Sequence, residues 1–186
     1  MSILIGFLPW ILFGYIAHNN YQLAAEVALV SSLIIYFPDM SRGKIKVFEA
    51  GTLIYFAVLI LITFIPGFVK LELWTRPAST VSLFLISLVS IIIKKPFSLQ
   101  YAYEEVEEKY WKTPKFIAVN YIISWAWCVG FALMSMSSYI SLEWVDQEKL
   151  FNSYIPLAIT AVLILFTKAY PNYVTAVETK RHQADN

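Results

Sequence analysis

The sequence predicts an all-α fold: a polytopic membrane helix bundle of about six transmembrane helices, with a short cytoplasmic amphipathic helix between the fourth and the fifth. Two observations lead to this prediction. First, 59% of the 186 residues are hydrophobic and 15% are charged, whereas soluble domains usually contain about 45–50% apolar and about 25% charged residues. Second, the apolar residues are gathered into six runs. Because lipid offers the backbone no hydrogen-bond partner, each run is expected to be a helix.

The first apolar run, residues 3–17, is short and irregular. It falls below the roughly 17–25 residues of a full span, and it carries Gly6, Pro9 and Gly14. Two alternatives stay open, a kinked first span or a re-entrant helix followed by five full spans. A cleaved signal peptide is disfavoured, because no basic residue precedes the run and no small-x-small pattern follows it.

The five later runs are predicted to cross the bilayer. Thr113 and Pro114 have the residue types expected of the N-cap and first helical residue of the fifth span, and Pro171 follows the sixth. We treat residues 1–175 as one transmembrane helical domain and residues 176–186 as a polar C-terminal tail. These five predicted spans are residues 21–37, 46–65, 78–93, 115–138 and 151–170.

The distribution of lysine and arginine predicts the orientation. With six spans, the termini, residues 38–45 and residues 94–114 share one side, which carries eleven of the 14 basic residues. The other side carries Lys70, Arg76 and Lys149. Because basic loops stay in the cytoplasm, both termini are predicted to be cytoplasmic. The eleven are Arg42, Lys44, Lys46, Lys94, Lys95, Lys109, Lys112, Lys115, Lys168, Lys180 and Arg181.

Small residues repeat at the spacing of one helix face in three of the predicted spans. Such faces let two helix backbones approach closely, so we expect them to pack inside the bundle. The faces are Gly6 with Gly14, Ala24 with Ala28 and Ser32, and Ser124 with Cys128 and Ala132.

The segment 94–116 interrupts the apolar pattern with five lysines and four glutamates. Apolar and aromatic residues from Leu99 to Tyr110 recur at helix spacing, which predicts an amphipathic helix over residues 97–111 on the cytoplasmic surface. Two interpretations stay open: the glutamates form the solvated face of this helix, or they form a docking surface for a partner. The docking hypothesis rests on Tyr101, Glu104, Glu105, Glu107, Glu108 and Trp111.

Three residues at the start of this segment are expected to anchor it to lipid. Lys94 and Lys95 end the fourth span, where their side chains can extend towards anionic headgroups. Phe97 is an aromatic residue at the level of the membrane interface, where aromatic residues are frequent.

Glu26 is the one carboxylate placed well inside an apolar run. An ionisable group in the bilayer is a functional candidate by default. One interpretation makes Glu26 a hydrated group near the outer interface. The other makes it the carboxylate of a small transporter or lipid-handling protein, sharing a polar cavity with His18 and Asn120. Asn120 alone is expected to form an interhelical hydrogen bond, and Glu49, beside Lys46, is expected to be an interfacial charge.

No catalytic constellation emerges, because the sequence contains no glycine-rich phosphate loop, no HExxH motif and no paired histidines. His18 and His182 are far apart, so neither a metal site nor a cofactor is predicted. Cys128 is the one cysteine and excludes an intramolecular disulfide.

A net charge of +1 gives no reason to expect nucleic acid. The expected partners are the lipid bilayer and other membrane proteins, with a homo-oligomer left open.

Four landmarks occur in order along nearly the whole chain. They are an apolar start with an early Leu-Pro at residues 7–13, an alanine-rich second span from residue 21 to 30, a Lys-Lys-Pro-Phe turn at residues 94–97, and Trp111, Pro114, Lys115, Asn120 and Trp125 around the start of the fifth span. Together they resemble the bacterial intracellular septation protein A family of small polytopic inner-membrane proteins.

That resemblance implies a bacterial inner-membrane location and a role in cell-envelope maintenance and division, through contacts with other envelope proteins. It brings no catalytic residues. We therefore expect a non-enzymatic envelope or division-associated scaffold, with residues 97–111 as its contact helix.

Overall fold

The computed structural model describes residues 2–65, 72–147 and 149–184. Within those ranges the chain forms eight α-helices and shorter helical turns, and no strand occurs. This confirms the all-α prediction. The helices are α1 (Ser2–Gly6), α2 (Leu8–Ile16), α3 (Tyr21–Ser41), α4 (Val47–Thr63), α5 (Glu72–Ile92), α6 (Phe97–Glu105), α7 (Pro114–Glu143) and α8 (Ile155–Ala184).

Four stretches among the described helices are long and apolar enough to cross a membrane, which supports the predicted membrane helix bundle. The N-terminal stretch Ile3–Ile16 and helix α4 are apolar but shorter. The 17 residues of α4 rise about 25 Å, against about 30 Å of hydrocarbon. Whether these two helices also span therefore stays a prediction. The four long stretches are Tyr21–Ser41, Trp74–Ile92, Pro114–Glu143 and Leu150–Val177.

The N-terminal run is broken at Phe7, between α1 and α2. Pro9 stands in the first turn of α2, where a missing N–H costs no helical hydrogen bond. Phe7 is buried, and the centroid of its ring lies 4.8 Å from that of Trp127, with the two rings stacked. The break therefore places an aromatic side chain in the core against α7.

A buried hydrogen bond fixes α2 to α4. Trp10 Nε1 donates to Thr52 Oγ1 at 2.9 Å, while the Thr52 hydroxyl donates to the carbonyl of Phe48 at 2.8 Å. The threonine hydroxyl thus uses both its donor and its acceptor capacity within an apolar core. Buried polar groups are costly when unpaired, so this pairing also specifies how α2 sits on α4.

Small residues of α3 and α7 lie at helix contacts, as the sequence predicts for these two of its three small-residue faces. Ala24, Ala28 and Ser32 are buried on one face of α3, and Ser124 and Cys128 are buried on α7. The principal packing pairs are α5 with α7, α2 with α3, α3 with α4, and α7 with α8. The core therefore forms around α7, which contacts α5, α6 and α8.

One end of the bundle gathers several chain segments that are distant in sequence. An ion pair between Lys46 and Glu104 joins the α3–α4 connection to α6. Ile3 in α1 and Thr175 in α8 line one cavity together with residues of α6. The N-terminus and the second half of α8 therefore lie at the same end. We call this end, comprising residues 39–49 and 94–116, the polar end.

Candidate functional site

Lys46, the residue before α4, lies at the centre of the polar end. Its Nζ atom is 2.6 Å from Asp39 Oδ2, 2.7 Å from Glu104 Oε1 and 3.2 Å from Glu49 Oε1. Lys46 and Glu49 are buried. One cation thus faces three carboxylates, which come from α3, α4 and α6. Because an uncompensated buried charge costs several kcal/mol, these four residues form one electrostatic unit, here called the Lys46 cluster.

The carboxylates keep Lys46 charged. Burial acts to lower the pKa of Lys46, but hydrogen bonds to Asp39 and Glu104 and the charge of Glu49 outweigh burial and raise that pKa above its ordinary value. Since the pKa is raised in the folded chain, the resulting stabilisation is present at neutral pH and is lost only as the pH rises through the raised value. Lys46 therefore stays charged at physiological pH.

Tyr101 of α6 covers the cluster from the side of α1. Lys46 Nζ lies 4.9 Å from the centroid of the Tyr101 ring, a cation–π distance. Burial, and then the negative charge of Glu49, raise the pKa of Tyr101 well above its ordinary value. The side chain is 3% exposed, so the expectation that Tyr101 belongs to a docking surface is wrong. Its ring fills the space above Lys46 instead.

The first turn of α6 is bonded to two other helices. Ser98 Oγ donates to the backbone carbonyl of Asn120 at 2.6 Å and lies 2.9 Å from Ser124 Oγ. Asn120 Oδ1 is 3.3 Å from the same Ser98 hydroxyl, so Asn120 contributes to the expected interhelical bonding. The amide N–H of Val47 donates to Gln100 Oε1 at 2.8 Å. These bonds hold α6 against both α7 and the start of α4.

Helix α6 ends at Glu105, so the predicted continuous helix to residue 111 is wrong. Val106 is extended, with φ −119° and ψ 139°. Its carbonyl accepts a hydrogen bond from Trp111 Nε1 at 2.8 Å, and the Trp111 ring lies 4.8 Å from that of Tyr103. The four glutamates of residues 104–108 disfavour further helix, because the C-terminal end of a helix carries partial negative charge.

Exposed carboxylates continue beyond the end of α6. Glu107 and Glu108 are exposed, and Glu107 Oε2 forms a solvent-accessible ion pair with Lys109 Nζ at 2.6 Å. Glu104 is bound to Lys46, and Trp111 is half-buried. Three of the predicted docking residues present exposed carboxylates outside the Lys46 cluster. They are Glu105, Glu107 and Glu108.

Of the three expected lipid anchors, two are exposed and one is buried. Lys94 and Lys95 are exposed. Lys94 has a φ of 58°, and the N–H of Lys95 donates to the carbonyl of Ser90 at 2.9 Å, which is the hydrogen-bonding pattern of a Schellman helix end. Phe97 is 0% exposed, and its ring centroid lies 5.2 Å from that of Phe48. Its expected lipid contact is therefore wrong, because the turn directs the ring into the core.

The residues considered for transport do not meet. Glu26 is exposed and accepts a hydrogen bond from Gln22 Nε2 at 3.1 Å, and His18 is exposed nearby in sequence. Glu26 and Asp39 are 13 residues apart on α3, a separation of about 20 Å. Asn120 is buried and bonds to Ser98 of α6, at the end of the bundle where Asp39 lies. A common cavity for Glu26, His18 and Asn120 is therefore wrong.

The Lys46 cluster is absent from the sequence-based predictions. From the sequence, Lys46 is a positive loop charge and Glu49 an interfacial charge, whereas Glu49 is 5% exposed. A local indication of the cluster is that Asp39, Lys46 and Glu49 lie around a short break between two apolar runs. Glu104 is 58 residues from Lys46, and nothing local connects them.

No protein-family model, no curated protein and no solved structure matches this chain. The resemblance to the intracellular septation protein A family therefore stays a prediction.

Proposed function

We propose that this chain is a non-enzymatic, multi-pass protein of the bacterial inner membrane with both termini in the cytoplasm. Its polar end would serve as a contact platform for other envelope proteins, including those of cell division. The observation that supports this proposal is the fixed presentation of charge. Helix α6 is bonded to α4, α7 and Lys46, whereas Glu107 and Glu108 project beyond its end.

The partner that fits is a basic cytoplasmic segment of a second membrane protein. The inner leaflet carries negative charge, so it repels Glu107 and Glu108 and favours their pointing into the aqueous phase. Exposed carboxylates of this kind mainly accelerate association and select the partner by charge. A fixed α6 keeps their position constant, which lowers the entropy lost on binding.

Photo-crosslinking in living cells tests this platform. With a benzophenone amino acid at position 110, we expect adducts of discrete mass, because Tyr110 is exposed next to the carboxylates. The double variant Glu107→Gln with Glu108→Gln should reduce these adducts about tenfold, equivalent to about 1.4 kcal/mol of binding.

The matched control removes two carboxylates at the other end of α7. Glu143 and Asp146 are exposed there, and Glu143→Gln with Asp146→Asn changes the net charge by the same amount. This control should leave the adducts at position 110 unchanged. Adducts that are equally strong in both double variants, or equally weakened, would contradict the platform.

Cysteine labelling tests the orientation. In a Cys128→Ala background, we expect a membrane-impermeant maleimide to label the Asp146→Cys variant in intact spheroplasts. The Glu107→Cys variant should react only after permeabilisation, because the predicted topology places residue 107 in the cytoplasm. Cys128 is 1% exposed, so its replacement serves only to remove background. The reverse labelling pattern would overturn the orientation.

A further inference from the structure

A cavity of about 760 Å³ opens at the polar end between α6, α7 and α8. This volume is typical of ligand pockets, which enclose about 300–1,000 Å³. Helix α6 contributes Ala102 and, at its end, Val106, and helix α7 contributes Phe116, Val119 and Ile123. The walls are therefore mainly apolar.

The lining changes from apolar to charged towards the aqueous side. Val119 and Ile123 are buried, whereas Glu105 and Tyr110 are exposed and Lys115 is half-buried. Glu105 and Lys115 carry opposite charges, so the rim is polar without a net charge. Two buried polar residues of the wall, Ser98 and Asn120, bond to one another, and Tyr101 is a third buried residue of the lining.

The cavity has the depth of one membrane leaflet. It extends along α7 from Thr113, the N-cap, to Ile123, ten residues that rise about 15 Å. The hydrocarbon core of a bilayer is about 30 Å thick, so this length corresponds to half of it. The third wall is α8, which packs on α7 and whose apolar stretch is otherwise largely exposed.

We propose that this cavity binds one acyl chain of a zwitterionic glycerophospholipid from the adjacent leaflet. The chain lies along Phe116, Val119 and Ile123, and the headgroup sits at the rim, where the opposite charges of Glu105 and Lys115 suit a headgroup with no net charge. An amphipathic lipid matches the change from apolar wall to charged rim, and the surrounding bilayer supplies it. This inference does not depend on the contact platform proposed above.

Photo-labelling with a lipid tests the site. The purified full chain is placed in vesicles of phosphatidylethanolamine and phosphatidylglycerol that contain phosphatidylethanolamine with a diazirine in one acyl chain. We expect adducts at Val119 and Ile123 as well as at lipid-facing residues of α7 such as Ile122 and Val129. The Ala102→Trp variant, which fills the cavity, should reduce only the adducts at Val119 and Ile123, about tenfold. Ala118→Trp, on the exposed face of α7, should change neither set.

Competition on the wild-type protein gives a second readout that needs no variant. Unlabelled phosphatidylethanolamine should suppress the adducts at Val119 and Ile123 at a several-fold lower concentration than phosphatidylglycerol. The absence of adducts at Val119 and Ile123 would overturn the site. Adducts that survive in the Ala102→Trp variant would also overturn it, provided that this variant keeps the wild-type thermal unfolding midpoint. Equal or stronger competition by phosphatidylglycerol would overturn the zwitterionic headgroup.

Discussion

We expect the Lys46→Met variant to lose about 3–5 kcal/mol of stability, because removing one partner of a buried ion pair leaves uncompensated charge. Here three carboxylates, those of Asp39, Glu49 and Glu104, lose their common cation. Methionine keeps much of the apolar volume of the lysine stem, so the loss reports on charge more than on packing. The measurement is thermal unfolding in mild detergent, where we expect the midpoint to fall by about 10 °C.

The deficit of Lys46→Met should shrink at mildly acidic pH, because burial disfavours the charged form of Glu49 and protonation of Glu49 removes one of the negative charges that repel one another. Adding Glu49→Gln and Glu104→Gln to Lys46→Met should restore part of the stability for the same reason. The control is Lys44→Met, an exposed lysine of the same connection, which should be near neutral. If Lys46→Met and Lys44→Met unfold at the same midpoint, the cluster does not stabilise the fold.

The second large effect is expected at Gly6. A Cβ atom at this position would lie 2.9 Å from Cζ of Tyr101 and closer still to its hydroxyl oxygen. Because Tyr101 is buried over Lys46, its ring cannot move away without disturbing the cation–π contact. We expect Gly6→Ala to destabilise the protein by about 1–3 kcal/mol, as overpacking of a core usually does, again measured as a lower unfolding midpoint.

Gly14 provides a control of the same residue type in the same N-terminal run. A Cβ there meets nothing within 4 Å, so the predicted pairing of Gly6 and Gly14 on one packing face is wrong: α2 turns Gly14 to the outside. Gly14→Ala should therefore stabilise by about 0.5–1 kcal/mol, the usual gain in a helix. Combining Gly6→Ala with Tyr101→Phe should cost less than the sum of the two. A stabilising Gly6→Ala would refute the close contact.

Helix starts were predictable where the chemistry is local. Helix α7 begins at Pro114, and Thr113 Oγ1 accepts a hydrogen bond from the amide of Phe116 at 3.3 Å, as the Thr-Pro pair indicates. The end of α7 was not predictable in the same way. It runs to Glu143, five residues beyond the predicted end, and its last turns are held by a distant segment, because the hydroxyls of Ser137 and Ser141 donate to the carbonyl of Phe151 and to Asn152 Oδ1.

The polar end was only partly predictable, because its contacts join residues far apart in sequence. Helical spacing correctly indicates a short helix from Phe97, but the same pattern cannot reveal that Tyr101 faces Lys46 and Glu49. An apolar stripe has the same periodicity whether it contacts lipid or other side chains of the protein. Phe97 was expected to contact lipid, but its ring packs against that of Phe48. Burial against a distant segment depends on the tertiary fold, which periodicity does not report.

The stacking of Phe7 on Trp127 has a consequence for biosynthesis. A ribosome adds about 5–20 residues per second, so the partner of Phe7, 120 residues downstream, emerges roughly 6–24 s after it. During this interval the first helix has only early neighbours, among which Thr52 offers Trp10 a hydrogen bond. Ribosome stalling should therefore find an N-terminal helix docked on the α3–α4 hairpin well before the aromatic stack closes.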